Sequence, residues 1–274
     1  MKIAVCIKQV PTREWQPRLD DRKTWVREQD ISYELNEPDA YALEEALRLR
    51  EKHTGEVVVC SAGPARVQTV IREALARGAD RAIHVEDDRL GAADAAVVAA
   101  ALAAAMKEER FDLVLTGLQS DDQGHGQTGV ILAEALGMVS STIIMEVQVD
   151  PSTGSGLGAQ GSGPEAQGSG QGGSVRVKRE LEGGWFQWIA MPLPALLTIQ
   201  SGINQLRYAT LKGIMAAKKK EIRKAGLPGG LQPTQQIVSL AAPTRSKQTR
   251  MIAGSPAEAA KELIRSLRDE ARAL

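Results

Sequence analysis

Residues Glu56–Ser61 read EVVVCS, and the stretch from Val57 to Cys60 contains no polar residue. A strand with one wet face alternates polar and apolar side chains; a run without alternation must be covered on both faces. Strand-length apolar runs recur at Lys2–Val10, Arg81–Val85, Phe111–Thr116 and Thr142–Val149. Between them lie helical stretches. Pro38–Lys52 places apolar residues at Ala42, Leu43, Ala46, Leu47 and Leu49; Pro64–Arg77 is closed by Gly78; Ala92–Glu109 is rich in alanine; Gln127–Leu136 is ended by Gly137. This order predicts an α/β fold with a mainly parallel sheet, helices on both faces and right-handed crossovers.

A chain of 274 residues is long enough to bury a large core. Lys+Arg and Asp+Glu both total 34, so net charge gives no sign of a nucleic-acid or membrane partner. The two cysteines, Cys6 and Cys60, each end an apolar run and are expected as buried thiols. No Cys-x-x-Cys or His-rich pairing suggests a disulfide framework or zinc. The N-terminal MKIAVCIKQVP lacks the apolar stretch and cleavage site of a secretory signal. No apolar run approaches the roughly 20 residues that span a bilayer, and the expectation is a cytoplasmic protein without membrane insertion.

Residues 152–174 break the pattern with 9 glycines in 23 residues and Glu165 as their one charge. Such a segment buries too little to order itself and reads as a flexible loop, a natural insertion or an artificial linker. Further on, Leu211–Lys224 reads as a basic helix, followed by a Gly/Pro-rich extended run to Gln248. Pro256–Leu274 reads as an amphipathic helix with Leu263, Ile264, Leu267 and Ala271 on one stripe. The Lys218–Lys220 run is either a solvated face or a steering patch for acidic partners.

The stretch Gly117–Gly129, GLQSDDQGHGQTG, follows a strand and enters a helix. Glycines allow close backbone approach, and amides at a helix start favour anions, so a phosphate seat is expected here. Gly124–Gly129 formally matches Gly-x-Gly-x-x-Gly, with Glu146 twenty residues beyond Gly126. Three facts speak against a nicotinamide dinucleotide site. The glycines start late after the strand, they belong to a late crossover, and Glu146 falls inside a strand.

Val175–Leu181 alternates about a Glu182-Gly183-Gly184 turn into a second strand from Trp185, which Pro192 and Pro194 stop before a third ending at Thr198. As a string, VKRELEGGWFQWIAMPLPALLT resembles the signature of electron transfer flavoprotein β subunits. Ile203-Asn204, Arg207–Leu211, Ile214-Met215 and Ala217–Lys220 resemble the same family's next block. The resemblance covers nearly the whole chain except residues 152–174 and Thr12–Glu28.

The resemblance implies a Rossmann-like, adenine-nucleotide-binding sheet over 1–198, a partner-recognition loop and basic helix over 199–225, and a C-terminal arm and helix over 226–274 docking on an α subunit. It implies AMP held by Asp122, Gln127, Thr128 and Gly129, together with Cys6, Asn36, Ala62 and Gly63. Where the family has Asn this chain has Gly126, and Gln123, Gly124 and His125 replace neighbouring acids. His125 is either a phosphate ligand or a solvated loop residue; His53 and His84 read as structural. FAD is expected chiefly on the α subunit, with no catalytic acid, base or nucleophile here, as befits an electron carrier rather than an enzyme. Ile203, with Asn204, Arg207 and Tyr208, matches the loop that meets acyl-CoA or other flavin dehydrogenases; a quinone oxidoreductase is the expected acceptor. Two alternatives stand beside this: a bifurcating relative with a second FAD in place of AMP and NADH as donor, and a stand-alone nucleotide-binding stress or signalling protein.

Overall fold

The computed structural model describes residues 1–12, 14, 18–150, 173–242 and 249–273. The chain forms two compact units, Met1–Ser239 and Leu240–Leu274. Most of the sequence expected as a Gly/Ser-rich loop, residues 152–172, lies outside the described residues.

The first unit is built on β1 (Lys2–Cys6), β4 (Glu56–Gly63), β5 (Arg81–Glu86), β6 (Leu113–Gly117), β7 (Val139–Asp150), β8 (Ser174–Glu180), β9 (Phe186–Pro192), β10 (Ala195–Ile199) and β11 (Ile222–Ala225). Their order across the sheet is β11-β5-β4-β1-β6-β10-β7-β8-β9. From β11 to β7 every neighbour is parallel; β8 and β9 complete the edge as an antiparallel hairpin. Pro192 ends that edge strand, where its missing N–H costs no ladder bond.

Side-chain alternation sorts the strands' residues to two faces. Val5, Val59, Leu115 and Leu197 pack on one face with α1 (Glu37–His53) and α2 (Gln68–Arg77). Ala4, Cys60, Val114 and Leu196 pack on the other with α3 (Ala95–Met106) and α4 (Thr128–Leu136). The doubly covered α/β sheet expected from EVVVCS is the observed one.

Two expectations need correcting. The first apolar run is not one strand to Val10. It breaks after Cys6, and β2 (Gln9–Pro11) pairs antiparallel with β3 (Tyr33–Leu35) in a separate small sheet. The basic helix is also shorter than Leu211–Lys224. It is α5 (Leu211–Ala217), and Ile222–Ala225 instead extends the open edge of β5. Arg72 donates to the Ala217 and Lys220 carbonyls, satisfying the acceptors at the helix end. Lys220 is therefore no solvated member of its run: its ammonium reaches the Leu75 and Ala79 carbonyls at the end of α2.

The second unit carries α6 (Pro256–Arg265), which continues as one wider turn to Glu270. Ser255 and Glu258 form a capping box at its start, and Arg250 pairs with Glu262 and Glu270. Leu263 and Ile264 of the expected stripe are each 49% exposed. Among the described residues no helix is long and apolar enough to cross a membrane.

Candidate functional site

In a parallel sheet the loops after the strands' carboxyl ends converge at one edge, where ligands bind. Here the ends of β1 and β6 meet the start of α4 and enclose a cleft of about 680 Å³, counted out to its mouth. Cys6, Asn36, His125, Gly126, Gln127, Thr128 and Gly129 line it. Ala62, Gly63 and Asp122 face an adjoining cavity of about 470 Å³, and Gly124 lines neither.

Two buried side chains at the start of α1 set the geometry. Asn36 sits at the position of a helix cap but makes no cap bond. Its amide donates to the Gln119 carbonyl at 3.0 Å, and its oxygen accepts the Asp121 N–H at 2.9 Å. Both ends of the amide are therefore committed to shaping the loop. Asp39 accepts the Lys8 N–H at 2.7 Å and the Gly117 N–H at 2.9 Å, tying the ends of β1 and β6 together. Burial pushes the Asp39 carboxyl up to about 7, against those two N–H bonds, the Asn36 side chain and the Lys8 charge.

The glycines divide the work. Gly124 and Gly126 hold φ of +64° and +63°, a left-handed conformation that side chains resist. Gly129 is needed for close packing instead. A Cβ there would strike Thr116 Oγ1 and Thr198 Cγ2, so its bareness lets α4 lie against β6 and β10. The Gln127 side chain makes no cap bond to α4, whose first turn faces the cleft. An anion there would meet amides and the positive end of the helix.

Sequence reasoning missed Lys8. Its ammonium lies 2.7 Å from Asp122, 3.1 Å from Gln123 Oε1 and 3.3 Å from Ser120 Oγ. Among the described residues lining the cleft it is the one Lys or Arg. Burial opposes ionisation of Asp122, yet the Lys8 charge and hydrogen bonds from Lys8, Ser120 and the Gln123 amide hold its carboxyl below the usual range.

The residues expected to meet a partner lie elsewhere in the unit. Asn204 donates to the Tyr41 carbonyl and to Glu45, and Arg207 pairs with Glu44 and Glu51. Both side chains bind the loop onto α1. Ile203 is half-buried against the core and lines a groove with Leu49 and Met145. It is thus no freely projecting anchor. Tyr208 is 89% exposed and Leu211 84%, so these carry the projecting apolar surface of the segment.

Among the described residues no group of three or more His, Cys, Asp or Glu is arranged to hold a metal ion. Cys6 and Cys60, register partners on β1 and β4, are buried free thiols.

A family model described as the electron transfer flavoprotein domain matches residues 23–228. The chain is 34% identical over 280 residues to the electron transfer flavoprotein subunit beta of Methylophilus methylotrophus, covering 98% of each chain. It is 32% identical over 263 residues to the protein of that name from Bacillus subtilis, covering 93% of this chain and 90% of the relative. For the Homo sapiens protein the identity is 33% over 280 residues, covering 99% of this chain and 98% of the relative.

Proposed function

This chain belongs to the electron transfer flavoprotein β-subunit family, and from that premise we propose that it works as one half of an αβ electron carrier with an adenine mononucleotide in the cleft. Subunits of this family are electron carriers rather than enzymes. The observation that carries the nucleotide reading is the convergence of Lys8, the left-handed Gly124–Gly126 loop and the first turn of α4 at the carboxyl ends of β1 and β6.

The residues present fit AMP. Cys6, Val98 and Ala95 offer an apolar wall for a purine, while Gln127, Thr128 and the α4 amides offer donors to a phosphate. Asn36 and Asp39 act indirectly, holding the loop in place. The mononucleotide then acts as a structural filler, stabilising the sheet edge by mass action. FAD, held chiefly by the α subunit, supplies the one- and two-electron chemistry when bound. Electrons arrive from acyl-CoA or other flavin dehydrogenases and leave to a quinone oxidoreductase. Tyr208 and Leu211 face the dehydrogenase beside Ile203, on a loop fixed by Asn204 and Arg207. The unit Leu240–Leu274, with Leu263 and Ile264 uncovered, docks on the α subunit.

A second reading has one observation in its favour. The adjoining cavity bears Tyr33 with the Arg66 guanidinium 4.1 Å from its ring centre, a surface suited to another ring system. A bifurcating subunit with a second FAD would use both cavities. Denaturing the complex purified with its α partner and counting released nucleotides separates the readings. One FAD and one AMP per complex is the expected result; two FAD and no AMP would replace the simple carrier by the bifurcating one.

A further inference from the structure

The two cavities at the sheet edge meet at one side chain. Lys8 lines both. The partners of its ammonium stand on either side of that line: Ser120 and Gln123 border the first cavity, and Asp122 borders the second. The Lys8–Asp122 pair, closed at 2.7 Å, therefore lies as a bar across the junction.

Both ends of the bar are anchored from below. The Lys8 N–H is held by Asp39, which is 6% exposed, and the loop carrying Asp122 is held at Gln119 and Asp121 by Asn36, which is 1% exposed. Buried side chains committed to backbone groups are costly to release, so the backbone at both ends is fixed and opening the bar falls to the Lys8 and Asp122 side chains. A ligand confined to the first cavity meets the bar as a cationic wall. A ligand reaching from the first cavity to Tyr33 and Arg66 in the second must displace the ammonium from its three partners.

We infer that the Lys8–Asp122 ion pair is a specificity device that limits the cleft to a mononucleotide by closing off the second cavity to the distal half of a dinucleotide. The inference rests on the nucleotide reading given above. Lys8 and Asp122 set ligand length; neither transfers an electron or a proton.

The test compares AMP with NAD⁺, a dinucleotide sharing the same adenylate half, by calorimetric titration of the full chain in complex with its α partner after nucleotide removal. The wild-type protein is expected to prefer AMP. Asp122→Ala is expected to narrow that preference about tenfold through tighter NAD⁺ binding, with AMP affinity changing less than about threefold, the scale of one partly exposed charge-assisted pair. Asp122→Glu, which keeps the charge, should restore the preference. A general loosening of the site weakens both ligands by one factor, and that result, or an unaltered ratio, overturns the inference. If Asp122→Ala melts early, Asp122→Asn, which keeps the side chain's size and removes its charge, is read for the same ratio. Wild-type protein binding AMP and NAD⁺ equally well overturns the bar and leaves the nucleotide site standing. Binding of neither removes the nucleotide reading and the bar with it.

Discussion

Arg207 grips Glu44 with two parallel bonds, Nε to one carboxylate oxygen at 2.8 Å and Nη2 to the other at 2.9 Å. The fork fastens the segment after β10 to the middle of α1, and Glu51, then Glu44, raise the guanidinium pKa. A planar pair of this kind resists replacement by lysine, which offers a single point of charge. Arg207→Lys is expected to cost about 1–2 kcal/mol in urea denaturation. It should also make residues around Tyr208 the first site of limited proteolysis.

The neighbouring Ile203 and Tyr208 should separate stability from recognition. Ile203 packs on the core, so Ile203→Ala is expected to lower stability by about 1–2 kcal/mol. Tyr208 projects into solvent, and Tyr208→Ala should leave the melting temperature unchanged while slowing reduction by the dehydrogenase. Thermal melts and stopped-flow flavin absorbance on the two variants check both halves.

Asp39 gives the fold a definite pH dependence. Its carboxyl titrates near 7 when folded, against about 3.9 for an unperturbed Asp. Between those values the folded chain keeps a proton that the unfolded chain has lost. Stability from this group is therefore full below the lower value and falls as pH rises through about 7. Unfolding free energy measured from pH 4.5 to 8 should carry this declining component, and Asp39→Asn should remove it. An identical slope in the variant would show that another group titrates.

Gly129 and Gly124 should respond differently to one added methyl. Gly129→Ala meets Thr116 and Thr198 within the helix–sheet contact and is expected to cost about 1–3 kcal/mol with loss of nucleotide. Gly124→Ala makes only ordinary contact, with the Ser120 carbonyl at 3.9 Å, and pays for its left-handed backbone, about 1 kcal/mol. Thermal melts and released nucleotide distinguish them.

The thiols should be silent in the folded protein. Burial, with a further push from Glu109, raises Cys60 to about 12, and burial likewise raises Cys6. Neither is expected to react with iodoacetamide at pH 8 until denaturant is added. Mass spectrometry of the native and unfolded protein checks this.

The parallel core is legible because Val57–Cys60 has no polar position, whereas the register of β1 and β4 is not, since a run without alternation prefers no one pairing. The left-handed glycine loop is legible from Gly124 and Gly126 for a similarly local reason. Lys8 is not, since its partners lie 112 to 115 positions away and a single lysine after a strand has no periodic signature. Asn36 is reached only through the family resemblance, and Asp39, inside the first turn of α1, reads as an ordinary acidic residue at a helix start. The sequence KKKEIRK favours helix by propensity, yet the open edge of β5 claims Ile222–Ala225 as a strand. In each case a distant partner overrides what the neighbours prefer.

The place of β10 between β6 and β7 governs when this protein can take shape. A nascent chain that has left the ribosome only as far as Leu136 has the loop and helix of the cleft but lacks the strand against which Gly129 rests. The chain must run out through β7, β8 and β9, then double back, before β6 gains its second neighbour. Asp150 and Ser174 are paired, so whatever length separates them leaves and re-enters the sheet at one point. Additions to that detour lengthen the wait for closure without altering the finished edge.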